Sequence, residues 1–252
     1  MKRLMVAAGN FFFHWREMLF PLVQVLLVFG FAPRPWPGGA SGSGLDVGDA
    51  LGLLLLFLGQ GLRMAVIGFA YIKRGGQNRR IHADDLVTDG LFAHCRNPLY
   101  VGNVLILSGL FLVHGNPWVV GLGIGFFVFA YIAITLAEEA FLAGRFGAAY
   151  EDYLRRVPRF LPNPRGLGRT LQGMTFDWAK VVRKEYGATF AWVTMLVLIL
   201  TLESRQRLDA DAFKARVLLL AGVWGVALLG YVTARALKKR GSLGGHTRRA
   251  ES

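Results

Sequence analysis

"ALGLLLLFLGQGLRMAVIGFAYI", residues 50–72, carries a single charge, Arg63. A hydrocarbon core of about 30 Å takes about 20 apolar residues to cross as a helix, so this stretch is long enough to span it. That reading decides the class of the whole chain, and the composition agrees with it. Of 252 residues, 54% are hydrophobic, and the mean hydropathy is positive, more apolar than a soluble domain of this length. The expected fold is all-α: one polytopic integral membrane domain over 1–252, a bundle of about six transmembrane helices.

The spans fall at 18–31, 50–72, 99–113, 118–137, 188–202 and 217–237. The first, third and fifth are short and need help from flanking residues. A signal-peptide reading of the first, with Lys2 and Arg3 as its basic end, is weakened by Arg16 and Glu17 and by the lack of a small-residue cleavage site before Pro33. Lysine and arginine collect at the N-terminus, in 73–96, in 145–184 and in the tail, whereas the alternate turns carry little net positive charge. By the positive-inside rule, both termini and the two long loops face the cytoplasm, in an inner or cytoplasmic membrane.

The net charge of +13 follows from this topology and from anionic lipid headgroups, so membrane lipids are expected partners and nucleic acid is not. The single cysteine, Cys95, excludes an intramolecular disulfide and a thiolate metal cluster. His82 and His94 lack a third ligand at a metal spacing and are expected at a surface or the membrane interface; His14 and His114 sit at span ends. No metal is expected.

The alternate turns are minimal, and the two basic loops are rich in polar and aromatic residues, so function is expected on their face. In the second loop, "LAEEAFLAGRFGAAYEDYLRRVPRFLP" places Phe141, Leu142, Phe146, Tyr150, Tyr153 and Leu154 at spacings of three and four, one stripe of an amphipathic interfacial helix that Pro158 ends. Glu138 and Glu139 stand where the fourth span leaves the membrane. Two carboxylates near a helix C-terminus are locally unfavourable and invite a cationic or hydrogen-bonding partner, or else water. In the first loop, "FAHCRNPLYVGN" puts Pro98 at a helix start with Asn97 in the cap position, the preceding residues extended, Arg96 beside them and Tyr100 about one turn in. Free N–H groups next to a cation favour an anionic or strongly polar ligand.

Together, "DDLVTDGLFAHCRNPLYVGN" and "EEAFLAGRFGAAYEDYLRRVPRFLP" resemble the isoprenylcysteine carboxyl methyltransferase and phospholipid N-methyltransferase superfamily, over about residues 77–162. The resemblance implies a polytopic enzyme that binds S-adenosylmethionine at the cytoplasmic face and methylates a lipophilic acceptor. Carried onto this chain, the cofactor contacts are Gln77, Asp84, Asp85, Leu86, Val87, Phe92, Asn97, Pro98, Leu99, Tyr100 and Glu138. Arg96 joins them beside the methionyl carboxylate. Phe92 and Asn97 replace the family's usual aromatic hydroxyl and histidine. The arginine that carboxyl methyltransferases carry just ahead of the paired glutamates is missing, Ile134 and Thr135 standing there instead.

Arg63 offers a substitute. A charge within a span costs about 2.5–3.5 kcal/mol on insertion scales, so it is expected to face the interior and bind an anionic acceptor or pair with Glu138 or Glu139, or to snorkel to the headgroups. An amine acceptor would have to lose a proton first, with Glu139 or an aspartate near Asp84 as base. Residues 187–252 form an additional C-terminal hairpin of open role. Two other functions fit these features: an NADPH-dependent membrane sterol or steroid reductase, whose closing segments are related, and a non-catalytic membrane scaffold.

Overall fold

A computed structural model of the chain describes residues 2–36, 46–69, 81–83 and 85–243. Among these residues every regular element is a helix, and no strand is present. α1 is Lys2–Gly30, α2 Val47–Phe69, α3 Pro98–His114, α4 Pro117–Phe146, α5 Ala148–Arg156, α6 Leu167–Gln172, α7 Trp178–Arg207 and α8 Ala210–Lys239, with one 3-10 turn at Gly90–Ala93. Five helices (α1, α2, α4, α7 and α8) are long and apolar enough to cross a membrane, and α3 is a shorter apolar helix. Six long helices thus run up and down, as the hydropathy predicts. The expected end of the second span at 70–72 lies outside the described residues.

Three spans start well before the expected residue, α8 at Ala210 among them. α1 begins at Lys2 and runs through Arg16 and Glu17, because both are good helix formers and α1 is held by packing on α4. A Cβ on Gly9 would fall 2.0 Å from the Ala133 carbonyl oxygen, so the backbones touch there. α7 begins at Trp178, with the Asp177 side chain accepting from the Lys180 N–H (2.9 Å). Its charged first turns are tolerated because Glu185 finds a buried partner, described below.

The tightest seam joins α2 and α3. Gly59 lies against Gly102, and Gly52 against Gly109, in antiparallel register; added Cβ atoms at Gly59 and Gly109 would come within 2.7 and 2.4 Å of the facing glycine's carbonyl oxygen. In lipid, where no hydrophobic driving force separates helix from solvent, such close backbone approach is a main source of association.

At the ends of the bundle far from the two motif loops, the Arg34 N–H donates to the His114 carbonyl (3.1 Å), and Asn116 Nδ2 to the Ala32 carbonyl (2.9 Å). These bonds set the ends of α1, α3 and α4 at one level. Arg207 at the end of α7 pairs with Glu203 (2.7 Å) and with Asp46 before α2 (3.0 Å). Burial pushes the Asp46 carboxyl up, but the N–H groups of Asp49 and Trp36 and the Arg207 guanidinium outweigh it and hold the group below its ordinary value. Asp46, Asp49 and Glu203 bring carboxylate oxygens within 4.8 Å of one another, and Arg207 answers that charge.

The single amphipathic helix expected after the fourth span is two helices. α4 continues to Phe146, Gly147 takes a left-handed φ of 53°, and α5 follows. Only a residue without Cβ adopts that turn cheaply, and it swings Tyr150 and Tyr153 inward, where both are buried with Val157.

Candidate active site

The two motif segments meet in space as a zipper. The Arg96 N–H donates to the Pro158 carbonyl (3.0 Å), and the Asn163 N–H to the His94 carbonyl (2.9 Å). Asn97 Nδ2 donates to the Arg159 carbonyl (3.1 Å), so Asn97 sits at the cap position of α3 without a side-chain cap bond; its amide is spent on the partner segment. Cys95 is buried, with Sγ 3.3 Å from the Phe160 carbonyl, and that burial pushes its thiol up. His94, expected at a surface or the interface, is buried instead. Its ring contacts the Asn163 carbonyl (2.7 Å) and Thr170 Oγ1 (2.9 Å), which makes it a structural pin between the loop and α6.

The paired glutamates divide the work. Successive residues of a helix point about 100° apart, so only one can face a given site. Glu138 faces a cavity and accepts from the Tyr100 hydroxyl (2.8 Å). Glu139 turns away from it and takes Arg159 through two bonds (2.9 and 2.8 Å) and Arg96 through one (2.8 Å). That ion triad locks the "RNP" segment to the "VPR" segment. Glu139 is held by two guanidiniums and is not among the residues lining the cavity.

The cavity has a volume of about 700 Å³, in the range of small-molecule sites. Asp85, Leu86, Val87, Phe92, Arg96, Asn97, Pro98, Leu99, Tyr100, Glu138 and Arg63 all line it. Gln77 and Asp84 lie outside the described residues. Arg63 does not pair with Glu138 or Glu139. It makes a two-pronged bridge to Glu185 of α7 (2.6 and 2.8 Å) and donates to Asn103 Oδ1, with side-chain exposures of only 11% and 3% for the ion pair. Helix adjacency explains the choice, since Gly102 lets the Arg63 stem lie directly on α3, and α7 packs on both α2 and α3.

Several lining residues escape sequence reasoning: Phe13, Arg16 and Glu17 from α1, Asn103, Tyr131, and Lys180 and Lys184 from α7. The signal that singles out Arg63, a charge beside apolar residues, applies also to Arg16, which stands just before the expected first span. Tyr150 and Tyr153 complete the wall near the zipper. Tyr153 donates to the Phe92 carbonyl (2.8 Å). Burial and the nearby Glu139 push Tyr150 up to about 12; burial and then Tyr150 push Tyr153 up as well. Both phenols therefore stay protonated donors at physiological pH.

At the start of α3 the cavity suits an anion. Pro98 has no N–H to offer and the Tyr100 N–H donates to the Asn97 carbonyl (3.1 Å), so the donor left over is that of Arg96, whose Nε is buried without a hydrogen-bond partner among the described residues. Such an orphaned donor is costly unless a ligand or water meets it.

A family model described as phospholipid methyltransferase matches residues 47–149. Similar curated proteins include the cobalt-zinc-cadmium resistance protein CzcN of Cupriavidus metallidurans, 34% identical over 110 residues, covering 43% of this chain and 50% of that protein. The protein-S-isoprenylcysteine O-methyltransferase of Schizosaccharomyces pombe is 34% identical over 120 residues, covering 45% and 48%. That of Mus musculus is 34% identical over 122 residues, covering 47% and 43%. The chain thus spans about half the length of the curated relatives it matches. No solved structure matches.

Proposed function

We propose that this chain, whose residues 47–149 belong to the superfamily of phospholipid and isoprenylcysteine methyltransferases, transfers a methyl group from S-adenosylmethionine to a lipophilic acceptor. One observation carries the reading: a single cavity is lined both by the polar motif segments and by side chains of the long apolar helices. A water-soluble donor and a lipid-soluble acceptor can meet there without either leaving its own medium.

The residues present fit the cofactor. The α3 start and Arg96 Nε would take the methionyl carboxylate. Phe92, Leu86 and Tyr100 offer apolar and aromatic surface for the adenine, and Glu138 an acceptor for amino or ribose hydroxyl groups. When bound, S-adenosylmethionine supplies a methyl group already activated on a sulfonium. The chain's part is placement: the Glu139 triad and the zipper hold the polar wall, Tyr153 fixes Phe92, and the helices exclude water. Orientation of this kind is worth about 7–11 kcal/mol when the reacting groups are well aligned. With the basic residues gathered at the cavity end of the bundle, the site opens to the cytoplasmic side.

The test is incubation of the purified full chain with labelled S-adenosylmethionine and fractionated membrane lipids. Label should enter a lipid extract, and calorimetry should detect the donor and its demethylated product. Folded protein that ignores both would end the proposal, and binding of NADPH in their place would favour a reductase.

A further inference from the structure

α7 lies outside the family-matching segment, yet one of its faces is keyed into the cavity wall. Val181, Glu185 and Ile199 are buried along it, and α7 packs on both α2 and α3. Two polar ties fix its rotation on α2. Trp192 Nε1 donates to Gln60 Oε1 (2.8 Å), and Arg63 grips Glu185 through Nε and Nη2 (2.8 and 2.6 Å). The ties differ in where they lead. Neither Trp192 nor Gln60 lines the cavity, whereas Arg63 does, together with Asn103 and Tyr131.

Arg63 hands the constraint on. With Nε and Nη2 taken by Glu185, Nη1 donates to Asn103 Oδ1. A guanidinium has donors and no acceptor, so the oxygen of the Asn103 amide must face Arg63 and its NH₂ group must face away. The same side chain hydrogen-bonds Tyr131. The Tyr131 ring lies 5.2 Å from that of Tyr100, whose hydroxyl donates to Glu138. One line of contacts thus crosses the cavity wall from α7 through α2 and α3 to α4. Packing alone does not call for it. A well-packed apolar group in place of a buried ion pair is often as stable or more so, and further along the same seam Leu56 and Ile199 pack in an apolar cluster.

We propose that Glu185 is a positioning residue of the active site, through which the C-terminal hairpin acts on methyl transfer: its carboxylate holds the Arg63 fork, and the fork sets Asn103 and Tyr131 where the acceptor lies. The reaction it serves rests on the methyltransferase reading; the positioning does not. The polar wall proposed for the donor is held by the Glu139 triad and the zipper, which use no residue of α7. Loss of Glu185 should therefore spare the donor's place at Arg96.

The full chain is prepared with 3-fluorotyrosine, and the fluorine resonance of Tyr131 is assigned with Y131F. In lipid nanodiscs, wild type, E185Q, E185D and W192F are compared by that resonance, by S-adenosylmethionine affinity, and by the rate of methyl transfer to the membrane-lipid fraction that takes label in wild type. E185Q should shift the Tyr131 resonance and slow transfer at saturating donor at least tenfold, with donor affinity changed less than twofold; E185D should recover part of both losses. W192F cuts a tie of the same seam that does not reach the cavity, and should keep the wild-type resonance and a rate within twofold. An unmoved resonance or a wild-type rate in E185Q, a matching fall in its donor affinity, or an equal loss in W192F would each overturn the proposal. If E185Q does not fold, R63K, which keeps the charge but not the fork, carries the same comparison. Protein that neither binds the donor nor transfers methyl sinks the methyltransferase reading, and the resonance then still decides whether Glu185 sets Tyr131. Donor binding and transfer that E185Q leaves untouched sink only the role of Glu185.

Discussion

Replacing Gly59 with alanine should destabilise the bundle, whereas the same change at Gly61, two residues along the same helix, should not. A Cβ at position 59 would lie 2.7 Å from the Gly102 carbonyl oxygen and 2.9 Å from the Ile106 N and Cγ1, whereas one at position 61 meets nothing within 4 Å. Two of the three obstacles at Gly59 are backbone atoms, which cannot rotate away, so α2 and α3 must part by several tenths of an ångström. Overpacking of that kind costs about 1–3 kcal/mol. Alanine also gains about 0.8–1.0 kcal/mol of helix propensity over glycine at either site. The propensity term cancels in the comparison, leaving G59A less stable than G61A by about 1–3 kcal/mol, roughly 5- to 150-fold in the folding equilibrium. Reversible unfolding in bicelles, followed by tryptophan fluorescence, measures the difference. If G59A proves as stable as G61A, the glycine seam is not what holds α2 to α3. Since Arg63 lies on Gly102 through this seam, donor and acceptor binding should weaken along with stability in G59A.

Glu139→Gln removes the charge that holds Arg96 and Arg159. Breaking a buried pair costs about 3–5 kcal/mol, and Arg159 at 40% exposure puts the expectation at the low end; thermal unfolding should show the loss, with weakened donor binding by calorimetry. Cys95 should resist maleimide at neutral pH in the folded chain and react on unfolding. Because burial raises its thiol, the thiolate fraction at any given pH is smaller than for a free cysteine, so the labelling rate should rise only at higher pH; ordinary reactivity near pH 8 would contradict the burial. Glu185→Gln should destabilise more than the Arg63→Gln, Glu185→Gln double variant, since the single change strands a buried guanidinium, and a double-mutant cycle should return a coupling of about 0.5–3 kcal/mol.

Membrane character and the six apolar helices were legible because each is a local property. A run as apolar as 50–69 is suited to a bilayer whatever surrounds it, and Pro98 acts on its own backbone, starting α3 where the sequence places it. The helix ends were less legible. Arg16, Lys180 and Glu185 fall outside the spans at 18–31 and 188–202 because hydropathy counts a charge as a stop, yet each lies inside a helix that continues past it. The divergent roles of Glu138 and Glu139 were hidden for a related reason. Adjacent in the sequence and identical in chemistry, they differ only in the direction each takes around α4.

From its sequence alone, the chain was committed to a helical membrane bundle with a polar motif face, since backbone hydrogen bonds in lipid can be satisfied only within helices or closed barrels. Which charges meet was decided by the tertiary structure: Arg63 finds Glu185 across 122 positions, Arg159 finds Glu139, and Arg16 finds no carboxylate within ion-pair distance among the described residues. Those outcomes depend on the rotation of each helix about its axis and on how closely glycine lets its neighbour approach. Neither quantity is carried by the order of residues along one helix; both arise only when the helices pack.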